Sequence, residues 1–409
     1  MKIPVLFSLC WMGYAARGQG GDTLLIGRIL DRLESRQIKT DGFYYAGMFP
    51  TLRSWSATPS DVKTDNSIFY TALIVFTLRQ LAPSLRGSAR VKCDSIMARG
   101  LRSYVHYRNR KGLPSYNFWP SDRAEFFPHS VLLDRFKDSK QITDDLDDTS
   151  ILDLGSDLPD STARRLKELM GQHANRVRKR VSNTYRSVKN LPAYSAWFGF
   201  KTPIEFDAGV FCNILYWVYA NGLPLNVNDS ASIRFLQYIL RKRKYMDDPA
   251  YASSYYPRSP VLIYHLARLL GRFDIPGLRE YKPRLLEDAR ALLGHTGDPM
   301  DRVILGTAML RLGAREGLPE VERPGGTALT QDGTSAYLDS VERDPFVFYI
   351  ANISCLFPNP VRRLFLEDPL CIYYFFSPAY NETLLLEYLV LRRQAGERSS
   401  ISTPSPTDR

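Results

Sequence analysis

The chain has 409 residues, 44% of them hydrophobic and 12% aromatic, enough to bury a large core as one big domain or two ordinary ones. Its formal charge of +11 gathers in two runs, Arg164 to Lys189 and Arg241 to Lys244. No recognition fold or base-reading motif accompanies them, which excludes nucleic acid and leaves solvated helix faces or a peripheral contact with an anionic membrane surface. Five cysteines without CxxC spacing exclude a disulfide framework and a zinc cluster.

In chain order, the first element is the opening "MKIPVLFSLCWMGYAARGQG", residues 1–20. One Lys, an apolar run from Ile3 to Tyr14 and then small residues, with Ala16 and Gly18 at the −3 and −1 positions, give the layout of a cleaved secretory signal. Export to a periplasmic or extracellular space is the expectation. No later segment offers an apolar run long enough to span a bilayer, so the mature chain is expected to be soluble. Of the remaining cysteines Cys93, Cys212, Cys355 and Cys371, the last three lie in apolar runs and read as buried thiols.

From there the sequence repeats one plan. A helix ends, a loop rich in Tyr, Trp, Gly and Pro follows, and an acidic or polar residue opens a second, very apolar helix. The first copy is "LLIGRILDRLESRQIKTDGFYYAGMFP" followed by "TDNSIFYTALIVFTLRQL". In the second, "MARGLRSYVHYRNRKGLPSYNFWP" leads, after an insertion, to "DDLDDTSILDL". The third is "TYRSVKNLPAYSAWFGFKTPIEFDAGVFCNILYWVY", and the fourth ends in "YASSYYPRSPVLIYHLARLL". "RLLEDARALLGHTGDPMDRVILGTAMLRLG" is a shorter fifth, and "DPFVFYIANISCLF" with "NETLLLEYLVLRR" the sixth. The second helices then begin near Asp65, Asp147, Asp207, Ser259, Asp301 and either Pro345 or Asn381. Because they are apolar all round they should be buried, while their basic partners face water. The expected fold is therefore all-α: a single α/α toroid over 21–393, about six helix pairs in two concentric rings. An open α-solenoid is the rival, and it has no need of inner helices so uniformly apolar. The tail 394–409, "QAGERSSISTPSPTDR", has no apolar pattern and should be disordered.

The stretch "QITDDLDDTSILDL" sets Asp144, Asp145, Asp147 and Asp148 before an apolar helix. A helix cap uses one or two such acids. A calcium site would use several, but no loop of EF-hand type is present. Crowded and buried carboxyls have raised pKa values and can act as proton donors.

Two stretches resemble a known family. "RQIKTDGFYYAGMFP…DNSIFYTAL" is similar to the repeat of terpenoid-cyclase and protein-prenyltransferase toroids, with Gln37, Gly42 and aromatics in the loop. Asp145–Thr149, "DLDDT", resembles the Asp-x-Asp-Asp-Thr motif of class II terpene cyclases. The zinc ligands of the prenyltransferases have no counterpart, and there is room for a single toroid. The resemblance implies an acid-initiated cyclase or isomerase of an apolar isoprenoid-like substrate, needing neither metal nor cofactor. Asp147 would be the proton donor, with Asp145 and Asp148 polarising it. Tyr116, Phe118, Trp119, Trp197, Phe198, Trp217, Tyr255 and Tyr256 would shield the cation, and His265 would orient or reprotonate an acid.

Two other readings remain. An exported glycan-active enzyme would pair Asp147 with Glu205 or Asp207 and stack sugars on "NFWP", "YSAWFG" and "ASSYYP". A non-catalytic envelope protein would hold an apolar or glycan ligand in the cavity.

Overall fold

The computed structural model describes residues 22–122, 144–198, 202–320, 338–339 and 346–401. The expected signal peptide, 1–20, lies outside the described residues, as does the end of the tail, 402–409.

The chain is mostly helix, in the expected alternation. In five of the units the first helix is amphipathic: α1 (22–36), α3 (Gly87–Ser103), α5 (Asp160–Gln172), α7 (Val227–Arg241) and α9 (Lys282–His295). In α5 the buried positions are Ala163, Leu166, Lys167 and Met170, one stripe at helical spacing. The second helices are α2 (Phe69–Leu81), α4 (Leu146–Gly155), α6 (Ala208–Ala220), α8 (Ser259–Arg272), α10 (Pro299–Arg311) and α11 (Pro378–Ile401). Burial runs without a break through Phe69–Leu78, Leu146–Gly155, Ala208–Val218 and Val261–Leu270. Such helices are covered on all sides, and each buried Leu, Ile or Phe contributes about 1.5–3 kcal/mol.

These six helices touch in chain order. α2 packs on α4, α4 on α6, α6 on α8, α8 on α10 and α10 on α11, and α11 returns to α2. The amphipathic helices flank them, α3 on α2, α7 on α6, and α9 on both α8 and α10. The helix starts fall close to the positions marked in the sequence, and the sixth, left between Pro345 and Asn381, begins at Pro378.

One expectation is corrected. The fold is not purely helical, because β1 (Thr51–Trp55), β2 (Thr58–Asp65), β3 (Tyr349–Asn352) and β4 (Ile372–Phe376) form an antiparallel sheet in the order β2-β1-β4-β3. Its signal was hidden: β2, "TPSDVKTD", is exposed at every position but Asp65, so no apolar alternation marks it. The sheet lies at the entrances to α2 and α11, since β2 and β4 lead directly into them. Helix α11 runs on to Ile401. Gln394 Nε2 donates to Ser84 Oγ, next to the pairing of Arg392 with Asp22 at 2.5 Å.

Cys93, Cys212, Cys355 and Cys371 are buried free thiols. Among the described residues no helix is long and apolar enough to cross a membrane.

Candidate active site

The acidic run opens α4. Asp145 has extended backbone and is the N-cap, its carboxylate accepting from the Asp148 N–H at 2.6 Å. The same turn is stitched to the loop before α6. The Leu146 N–H donates to Ala196 O at 2.8 Å and the Phe198 N–H to Asp144 O at 3.0 Å, which sets Trp197 opposite Asp145. Asp144 itself is tied into a neighbouring loop, accepting from Asn109 Nδ2 and Ser115 Oγ at 2.6 Å each. Thr149 Oγ1 accepts from the Tyr116 N–H at 3.0 Å and anchors that loop to the helix.

Asp147 points into the protein. Its Oδ1 accepts from Asn213 Nδ2 of α6 at 2.6 Å, and its Oδ2 accepts from the Tyr256 hydroxyl in the loop before α8. The ring of Tyr256 lies directly on the backbone of Gly209. A Cβ at that position would fall 2.9 Å from the ring's Cγ and Cε2, closer than such atoms approach. The absence of a side chain at Gly209 is what lets Tyr256 reach the acid. Behind Asn213, the carbonyl of its amide accepts from Arg268 Nη2, so the amide is read by a carboxylate on one side and a guanidinium on the other. Arg268 is 1% exposed. It lies over the rings of Phe76 and Tyr264, 5.1 and 5.4 Å from their centroids, and meets His265 Nδ1 at 3.1 Å.

Burial pushes the carboxyl of Asp147 up to about 7, with the charge of Asp145 adding to it, while the bonds from Tyr256 and Asn213 pull the other way. Asp148 is raised well above the ordinary range by burial first and then by Asp145 and Asp147. Neither of its oxygens has a hydrogen-bond partner among the described residues, so nothing rewards its ionisation. Burial lifts Asp145 to about 6. Three carboxyls this close cannot all ionise, and the site holds neutral acid at pH 7. His265 is held far below its ordinary value, by burial and then by Arg268, and is an uncharged imidazole.

A cavity adjoins the acids. It is lined by Asp145, Asp147 and Asp148, by the aromatics Phe69, Phe118, Trp197, Tyr255 and Tyr349, and by Ala196 and Val210. Its volume of about 10 Å³ is room for one water. Tyr349, on β3, is the hub of the aromatic wall. Its ring lies 4.6 Å from Phe69, 5.8 Å from Phe118 and 5.9 Å from Tyr255.

Of the residues marked in the sequence, Asp145, Asp147, Asp148, Phe118, Trp197 and Tyr255 meet at this cavity, and Tyr256 joins through its bond to Asp147. Glu205 stands behind them, accepting from Tyr255 Oη at 2.5 Å and Trp197 Nε1 at 3.1 Å. Asp207 has a positioning task. It caps α6 through the Val210 N–H at 3.0 Å and takes Ser253 Oγ at 2.7 Å and the Tyr255 N–H at 3.1 Å, which fixes the loop carrying both tyrosines. Burial raises it to about 7.

The others lie elsewhere. Trp119 donates to Asp65 at 3.1 Å, Tyr116 packs on Tyr104, Phe198 packs on His173, and Trp217 is fully buried in α6. His265 contacts the ring of Tyr256, 4.2 Å between centroids, and Arg268. Residues that the sequence did not single out are Phe69, Tyr349, Asn213, Gly209 and Arg268. Each comes from an element distant from the acidic run, and only Arg268, a charge inside an apolar helix run, carried a signal of its own.

Among the described residues no three His, Cys, Asp or Glu side chains converge to hold a metal. Comparison of the chain with protein-family models and with curated proteins gave no match.

Proposed function

We propose that the six contacting helices are the inner ring of an α/α toroid, and that the chain is an acid-initiated cyclase or isomerase of terpenoid-cyclase type acting on an apolar isoprenoid-like alkene. One observation carries the reading: a buried carboxyl, Asp147, protonated near neutrality and flanked by two more acids, stands beside a wall of aromatic faces.

In the first step Asp147 gives its proton to one alkene carbon. The π pair becomes the new C–H bond, the neighbouring carbon is left cationic, and Asp147 becomes a carboxylate. Ring closure or migration relocates the cation. Loss of a proton from an adjacent carbon to a carboxylate of the cluster restores a double bond and resets the acid. The faces of Phe69, Phe118, Trp197, Tyr255 and Tyr349 stabilise the cation and keep water from quenching it. The cavity as it stands has room for one water, so substrate entry requires this wall to part.

Squalene and geranylgeranyl diphosphate are the probes, with products separated by gas chromatography. Asp147→Asn should abolish conversion without lowering the melting temperature; normal turnover by that variant refutes the proposal.

A second reading draws on Glu205, a further buried carboxylate joined to the cavity through Trp197 and Tyr255. A two-carboxylate glycan enzyme would use it with Asp147. Soluble oligosaccharides should then raise the melting temperature, and Trp197→Ala should erase the rise.

A further inference from the structure

After β3 the chain crosses an apolar surface. Leu356, Val361, Leu364, Phe365 and Leu370 all stand exposed within one short segment, Leu364 by 75% and Leu370 by 61%. Single exposed apolar side chains are ordinary, but a contiguous patch marks an interaction site. The segment is firmly held. Asn359 Nδ2 donates to Thr184 O at 3.3 Å and to Tyr251 Oη at 2.6 Å. Arg362, fully buried, donates to Asn183 O and Ser254 Oγ and lies 4.7 Å over the Tyr251 ring. Anchored through that guanidinium, the short helix Val361–Phe365 turns Leu364 and Phe365 to solvent.

The loop to which it is anchored is strongly basic. From Glu168 to Glu205 the sequence contains no other acid. Arg176, Arg178, Lys179, Arg180, Arg186 and Lys189 are all exposed there. The residues that touch the apolar segment, Ser182 to Thr184, lie between Arg180 and Arg186. Glu367 and Asp368 are the acids of the apolar segment itself, and Asp368 is occupied in capping the turn at Pro369–Cys371.

We propose that this face, built by 176–190 and 356–370, docks on an anionic lipid surface. Inserted leucines alone or surface charge alone give marginal binding, and the two signals together hold a protein at a bilayer. A second copy fits poorly, because a self-complementary contact would set the same cations against each other. Nucleic acid would leave the leucines without a partner.

The test is flotation of the full chain with phosphatidylcholine vesicles, with and without phosphatidylglycerol. Residues 1–20 are common to every variant, so differences between variants report on this face. The protein should float with phosphatidylglycerol vesicles and be released by high salt. Arg180→Gln/Arg186→Gln/Lys189→Gln should lower partitioning about a hundredfold, and Leu364→Ser/Leu370→Ser about tenfold. Unchanged melting temperatures show that these exposed substitutions leave the fold intact. Equal flotation with neutral vesicles overturns the proposal, as does flotation of both variants at the wild-type level. So does RNA binding, without flotation, that the leucine variant retains.

Discussion

Asp147→Asn tests the central acid without any substrate. An ordinary aspartate titrates near 3.8 and Asp147 near 7. In that interval the unfolded chain has lost the proton and the folded one keeps it, so folding takes up a proton and stability falls as pH rises. Below about 4 both states are protonated and the acid contributes nothing to the slope; above about 7 the loss is complete, and the gap amounts to about 4 kcal/mol. Asparagine has the same shape and does not titrate. Its carbonyl can accept from Asn213, and its amide can donate to the Tyr256 hydroxyl. Urea unfolding of both proteins at pH 4 and pH 8 reads the effect, together with the smaller change at Asp148, which the Asp147 charge helps to raise. The variant should gain about 4 kcal/mol relative to the wild type between those pH values. A difference that does not change with pH would show that Asp147 ionises freely in the folded protein, and the proton-donor argument would fall with it.

Tyr256→Phe removes a donor that favours the Asp147 carboxylate, so the midpoint of the same pH-dependent difference, measured in that background, should move above about 7. Gly209→Ala should destabilise the fold by about 2–3 kcal/mol in urea unfolding, because the new methyl group displaces the Tyr256 ring and its bond to Asp147. A gain of about 1 kcal/mol, the usual effect of this exchange inside a helix, would show that the ring does not sit there.

The helices were legible because most of the second helices announce themselves twice, by an apolar run and by a polar residue at or near the start. Asp145 and Asp207 do cap α4 and α6 as their positions suggested. The sheet was not legible. β2 is polar on both faces, and β4 is an aromatic run that reads equally as core helix. At the site, the acids and the loop aromatics Trp197 and Tyr255 could be read because they cluster along the chain. Asn213 and Tyr349 could not: an asparagine in an apolar helix and a tyrosine in an apolar run acquire meaning only when packing sets them beside Asp147. Trp217 shows the converse. The resemblance put it among the aromatics that would shield a cation, and packing placed it in the core.

The pairing of β1 with β4 joins Leu52 to Phe376, and α11 closes on α2. These contacts link parts of the chain separated by most of its length, so the loop between them must close before they stabilise anything. During synthesis the early helices leave the ribosome with one apolar flank uncovered, and that flank stays open until the segment around Ile372–Phe376 arrives. A nascent chain of this design should present that flank to chaperones until β4 has been made. A nonsense mutation anywhere before β4 should yield an aggregating fragment and not a smaller folded protein.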